Sequence, residues 1–170
     1  MKVAAAMFLN QYSFLILAVL LSVAAGSFLL RNNPTWRDIL AFGVIIAALV
    51  ASWVVLHPVQ TPLMEDAKKV QSLIGAGTPV LLEFQSPYCV LCAQIKPAVD
   101  ELERELENQA GAGRQIHIIR LNVQEAAGRE LAPVYGFEFT PTFIYFDAQG
   151  NEVWRTIGSF DPQRVRDSLK

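Results

Sequence analysis

Ser86-Pro87-Tyr88-Cys89-Val90-Leu91-Cys92-Ala93-Gln94-Ile95-Lys96-Pro97 contains the only two cysteines of the chain. How those sulfurs are read depends on what lies on either side. Before them, Pro79-Val80-Leu81-Leu82-Glu83-Phe84 is a short apolar run bounded by turn residues, which predicts a buried strand. After them, Ile95, Val99, Leu102 and Leu106 recur at spacings of four, three and four, which predicts a helix from about Cys92 to Asn108. Glu101, Glu103, Arg104, Glu105 and Glu107 then fall on the opposite side and read as a solvated face.

Cys89 therefore sits at a strand-to-helix turn, with Cys92 in the first helical turn. Unpaired N–H groups and the positive end of the helix dipole favour a thiolate at Cys89. The three-residue spacing brings the second sulfur within reach of a mixed disulfide formed at the first, so Cys89 attacks and Cys92 resolves. Two other readings compete. A tetrahedral metal site needs four ligands, and beyond the two thiols the chain offers only His57 and His117, the latter inside a predicted strand. Two inert buried thiols are the third reading, and a strand-to-helix junction is a poor place to hide sulfur.

Outward from this stretch, Glu65 to Ile74 carries Ala67, Val70, Leu73 and Ile74 on one helical face and ends at Gly75-Ala76-Gly77. Gln109 to Gly113 reads as a loop and Ile116 to Val123 as a second apolar strand. Glu125 to Tyr135 reads as a helix broken by Pro133 and closed by Gly136. Thr142 to Phe146 and Glu152 to Ile157 flank Asp147-Ala148-Gln149-Gly150-Asn151, a hairpin signal, and Asp161-Pro162 caps a final helix. This order predicts an α/β fold whose first two strands are parallel and whose last pair is antiparallel.

The N-terminal third is different in kind. Phe14 to Leu30 and Ile39 to Leu56 are apolar runs, each about 25 Å long or slightly more as a helix, close to the hydrocarbon thickness of a bilayer. They predict membrane spans at about residues 10–30 and 39–56. Arg31 to Asp38 between them is short and polar, so residues 1–58 are expected to form an antiparallel transmembrane hairpin in contact with lipid. His57 to Pro62, with two prolines, makes a stiff connection to a soluble domain at 59–170. Tyr12, Trp36 and Trp53 fall near the span ends, at headgroup level. A signal peptide is the rival reading of the first run, with Lys2 before it and Ala24-Ala25-Gly26 resembling a cleavage region. Helices buried in a soluble core are the other, though a domain of this size has no interior able to cover two of them.

A net charge of −2 with no basic block argues against a nucleic-acid partner. Arg31 and Arg37 in the short loop, set against Lys2 at the N-terminus, favour the loop on the cytoplasmic side and the soluble domain on the extracytoplasmic side. Neither span contains a cysteine, so a separate redox partner, a reductase or membrane thiol carrier, is expected.

Taken in order, Leu81-Leu82-Glu83-Phe84, Tyr88-Cys89-Val90-Leu91-Cys92, Pro97, Thr140-Pro141-Thr142-Phe143, Gly150 and Gly158 resemble the thioredoxin superfamily pattern over about Thr61 to Lys170. The resemblance implies a central mixed sheet flanked by helices, and thiol–disulfide exchange with cysteine-containing proteins, without metal or cofactor. It implies that Pro141 is a cis-proline holding an extended substrate segment, with Thr140 beside the thiols, and that Pro97 bends the active-site helix. It places Glu83 as the buried acid that assists proton movement at Cys92, and Arg120 as its basic neighbour. Tyr88 stands where a tryptophan is usual and joins the substrate-positioning residues. Gln85 replaces an aromatic, and Val90-Leu91 matches neither the Gly-Pro nor the His-containing spacers of the family. A membrane-anchored oxidoreductase is the leading expectation; a redox-inactive binding or assembly module of the same fold in a membrane complex is the alternative.

Overall fold

Strand β1 (Val80–Gln85) is buried at every position because it is a central strand with helices on both faces. It pairs in parallel with β2 (His117–Asn122) and antiparallel with β3 (Thr142–Phe146), which pairs antiparallel with β4 (Glu152–Ile157), giving the order β2-β1-β3-β4. The computed structural model describes residues 2–31, 33–56, 66–109 and 115–169. The expected proline-rich connection at His57 to Pro62, the boundary between residues 58 and 59, and most of the loop after Gln109 lie outside them.

The alternation of side chains along β1 splits the interior in two. Leu82 and Phe84 face a cluster with Val70 of α4 (Ala67–Leu73) and Ala127 and Leu131 of α6 (Ala126–Val134). Leu81 faces the other cluster, with Val99 and Leu102 of α5 (Val90–Gln109), Phe143, Tyr145 and Trp154, and Val165 of α7 (Pro162–Ser168). Asp161 caps α7 by accepting from the Gln163 N–H at 2.9 Å. The mixed sheet flanked by helices is thus the thioredoxin fold expected from the resemblance.

Pro133 does not break α6 but lies in its last turn, where a proline forfeits a single helical bond. The helix stops at Val134 because Gly136 turns left-handed, φ 61°, and lets the Phe137 N–H close back on the Ala132 carbonyl at 2.8 Å. Gly128 lets α6 approach β2: a Cβ there would lie 2.0 Å from the Asn122 carbonyl oxygen.

The N-terminal third folds as α1 (Lys2–Gln11), α2 (Ser13–Leu29) and α3 (Trp36–Leu56). Antiparallel packing of α2 on α3 puts Gly26, late in one, against the Phe42 ring, early in the other. Asp38 caps the start of α3, accepting from the Thr35 N–H and hydroxyl at 2.8 and 2.7 Å. Among the described residues one helix, Trp36–Val55, is long and apolar enough to cross a membrane. The expected first span at about 10–30 is corrected to the 17 residues of α2, because the backbone breaks at Tyr12 and sends Asn10 and Gln11 into a separate helix. The fold therefore holds one span-length helix and a shorter apolar companion.

Candidate functional site

Cys89 immediately precedes α5 and Cys92 is the third residue in it, both as free thiols. The Cys92 N–H, one of the unpaired donors of the first helical turn, points at Cys89 Sγ from 3.4 Å. Behind the pair, the Thr140 carbonyl accepts from Cys89 Sγ at 3.6 Å, and the Thr140–Pro141 peptide bond is cis. Gly158, at φ 73°, donates its N–H to the Pro141 carbonyl at 2.8 Å and so ties the end of β4 to this loop. The sheet thereby brings Thr140, fifty-one residues from Cys89 in sequence, to its sulfur.

The two thiols are driven apart electrostatically. The hydrogen bond from the Cys92 side chain lowers Cys89 to about 6, against the opposing effect of burial, with further help from the Thr140 side chain and the backbone N–H groups of Cys92 and Leu91. Burial pushes Cys92 far up, and the neighbouring Cys89 and Glu83 add to the rise. Near neutral pH this gives one thiolate, at Cys89, and one thiol, at Cys92.

Glu83 lies on the α5 side of β1, opposite Arg120 in the β1–β2 register, and both are almost fully buried. Burial raises the Glu83 carboxyl to about 7, outweighing the opposing Arg120 charge. Arg120 Nε is 3.5 Å from Glu83 Oε2, too long for a strong hydrogen bond, while its other nitrogens reach Asp100 at 2.6 Å and Glu103 at 3.0 Å. The guanidinium is thus shared among three carboxylates, which is why it neutralises Glu83 incompletely. Asp100, also bonded to Lys96 at 2.6 Å, is held low by Lys96 and Arg120 despite its partial burial.

These contacts correct the expectation of a uniformly solvated α5 face. Glu103 turns onto Arg120 and Glu105 onto Arg166 at 2.6 Å, leaving Glu101 with Arg104 at the surface. Pro97 lies within α5 on an exposed position. Gln85 is buried at the end of β1, and His117 is exposed on the edge strand β2. Among the described residues no group of three or more His, Cys, Asp or Glu side chains is placed to hold a metal ion.

Three participants went unread in the sequence. Ser86 anchors the turn, its hydroxyl accepting from the Tyr88 N–H at 3.2 Å. Asn10 and Ser13 come from the N-terminal helices. The Asn10 carboxamide bonds the Thr140 backbone, and the Ser13 hydroxyl accepts from the Val90 N–H at 3.1 Å. The available signal was the polar pair Asn10-Gln11 interrupting an apolar run.

A family model described as a thioredoxin-like domain matches residues 66–170. The thioredoxin of Pyropia yezoensis is 30% identical over 104 residues, covering 61% of this chain and 89% of that protein. The thioredoxin of Synechocystis sp. is 26% identical over 110 residues, covering 65% and 94%. The chloroplastic thioredoxin-like protein HCF164 of Oryza sativa is 23% identical over 107 residues, which cover 63% of this chain but 38% of that longer protein.

Proposed function

The chain belongs to the thioredoxin-like family, and from that membership we propose that it is a membrane-anchored thiol–disulfide oxidoreductase acting on cysteine-containing protein substrates. The observation that carries the proposal is the placement of two free thiols one helical turn apart at the start of α5, with the Cys92 N–H 3.4 Å and the Thr140 carbonyl 3.6 Å from Cys89 Sγ. These surroundings lower Cys89 to about 6 while burial raises Cys92. A nucleophile ionised at neutral pH next to a resolving thiol that keeps its proton is what a two-step exchange requires.

In the reducing direction, the Cys89 thiolate attacks one sulfur of a substrate disulfide, the S–S bond breaks, and the departing sulfur leaves as a thiolate that water protonates. Cys92 then gives its proton to Glu83 and attacks Cys89 Sγ, releasing the second substrate sulfur. Two electrons pass from the cysteine pair to the substrate, and the pair is left as a disulfide. A redox partner restores the dithiol by the reverse exchange. A carboxyl near 7 suits the proton transfer, since it can both take and return a proton at neutral pH. Thr140, Pro141 and Tyr88 position the substrate, while Arg120 and Pro97 support the acid and the helix.

The membrane assignment is supported by α3 and by the exposed apolar surface of α2 beside it. In this reading α2 and α3 together form the hairpin anchor, with the redox domain on the extracytoplasmic side.

The test uses the full chain. Cys92→Ser should accumulate mixed disulfides through Cys89 that dithiothreitol releases, and the unaltered protein in detergent should catalyse reduction of a model protein disulfide. A chain that neither traps partners nor exchanges the model disulfide overturns the proposal. A compartment-sensitive reporter fused after Lys170 and resistance to carbonate extraction check the anchor and its orientation.

A further inference from the structure

Five consecutive residues at the junction of α1 and α2, Asn10 to Phe14, lie along the redox site, and each bonds or stacks on a residue beside Cys89 or Pro141. The Asn10 carboxamide accepts from the Thr140 N–H at 2.7 Å and from its hydroxyl at 2.8 Å, and donates to the Thr140 carbonyl at 2.9 Å. The Gln11 carbonyl accepts from the Ser86 hydroxyl at 2.7 Å. The Tyr12 ring stacks on Tyr88 with centroids 5.8 Å apart. Ser13 Oγ accepts from the Val90 N–H, and the Phe14 N–H donates to the Tyr88 carbonyl at 2.8 Å. Cys89, between Tyr88 and Val90 in this turn, is 1% exposed.

A side-chain amide offers the same donor and acceptor as a peptide unit. Asn10 therefore satisfies both backbone groups of Thr140 in the way a polypeptide strand laid beside Cys89 would. Disulfide exchange needs the attacking sulfur to meet a disulfide sulfur directly, and an almost fully covered Sγ offers no such approach. An ionised nucleophile sealed from every protein disulfide is a contradiction unless its cover moves.

We infer that Asn10–Phe14 is a built-in occupant of the substrate strip, which closes the dithiol until a substrate polypeptide displaces it. The inference rests on the reading of Cys89 as the nucleophile. Tyr12 on Tyr88 marks the substrate class that competes best: an extended segment with an aromatic side chain near its cysteine, able to replace the backbone bonds at Thr140 and the stacking at Tyr88 together. Because Tyr12 leads directly into α2, opening also requires the start of that helix to shift.

The experiment follows alkylation of Cys89 in the full chain in detergent, resolved by peptide mass, together with hydrogen exchange at the Thr140 amide. Losing the Asn10 bonds should raise the alkylation rate of Asn10→Ala roughly tenfold and speed exchange at Thr140, with Ser13→Ala acting in the same direction. Unchanged Cys89 rates in both variants overturn the inference. Without any variant, native Cys89 should react about a hundredfold more slowly than in the urea-unfolded chain at equal thiolate fraction, since reaction waits on local opening. Equal rates overturn it. Wild-type exchange with a model disulfide that Asn10→Ala leaves unchanged sinks the occlusion and spares the oxidoreductase. Faster alkylation in Asn10→Ala without disulfide exchange in any variant upholds the occlusion and sinks the enzyme.

Discussion

The backbone N–H of Cys92 lies 3.4 Å from Cys89 Sγ, so Cys92 helps to hold Cys89 as a thiolate. The largest cause of the low Cys89 value is likewise the hydrogen bond from the Cys92 side chain. Alkylation of Cys89 against pH should therefore rise through a midpoint near 6, below the usual cysteine value of about 8.5. Cys92→Ala removes the side-chain donor and should move the midpoint up by a unit or more, readable in the same titration. The folded value is depressed, so the thiolate contributes stability that is full above the unfolded cysteine value and is lost as pH falls through about 6. Denaturant melts of the reduced protein between pH 6 and 9 should show stability rising with pH from this group.

Glu83 has the opposite sign. Its folded value near 7 lies above the unfolded value of about 4.5, so the folded protein binds the extra proton between those limits. Stability from this group is full below about 4.5 and falls as pH rises to about 7, by about 3 kcal/mol. Glu83→Gln should abolish that slope and leave the protein as stable or more stable at pH 8, because burial outweighs the Arg120 attraction. Disulfide exchange by the variant should slow. Urea midpoints at pH 5 and 8 check the first outcome and turnover of a model disulfide the second.

Arg120 is where charge removal is expected to hurt. Arg120→Met leaves Glu83, Asp100 and Glu103 without their common cation and should cost about 3–5 kcal/mol in chemical denaturation. Adding Glu83→Gln should recover part of the loss, since the most deeply buried carboxyl is then neutral. Simple additivity of the two substitutions would count against a shared network.

Gly128→Ala sets helix propensity against space. Alanine gains about 1 kcal/mol in a helix interior, but its Cβ would meet backbone at 2.0 Å, which no rotamer change relieves. A net loss of about 1–3 kcal/mol is expected in thermal or urea unfolding as α6 is pushed off β2.

How much was legible in advance depends on the range of each signal. β3, the hairpin turn and β4 fall on their expected residues, and β1 and α5 within one or two. Apolar periodicity and turn chemistry act over a few residues, so they are present in the sequence itself. Tyr12 shows the limit. The polar pair Asn10-Gln11 marks an interruption of the apolar run, but nothing in the run marks the distant partners, Tyr88 and Thr140, that Tyr12 and Asn10 meet.

By itself, then, the sequence determined that a strand delivers Cys89 to a helix start, with Cys92 one turn on, because both facts follow from local pattern. Only the tertiary structure decided what those sulfurs meet. Burial in the core raised Glu83 to about 7, against the pull of Arg120 set beside it by the parallel pairing of β1 with β2 and shared with Asp100 and Glu103 of α5. Chain reversal brought Asn10 across 130 residues to Thr140, the residue whose carbonyl bonds Cys89 Sγ. Such contacts arise from packing and charge acting through space, and spacing along the chain does not encode them.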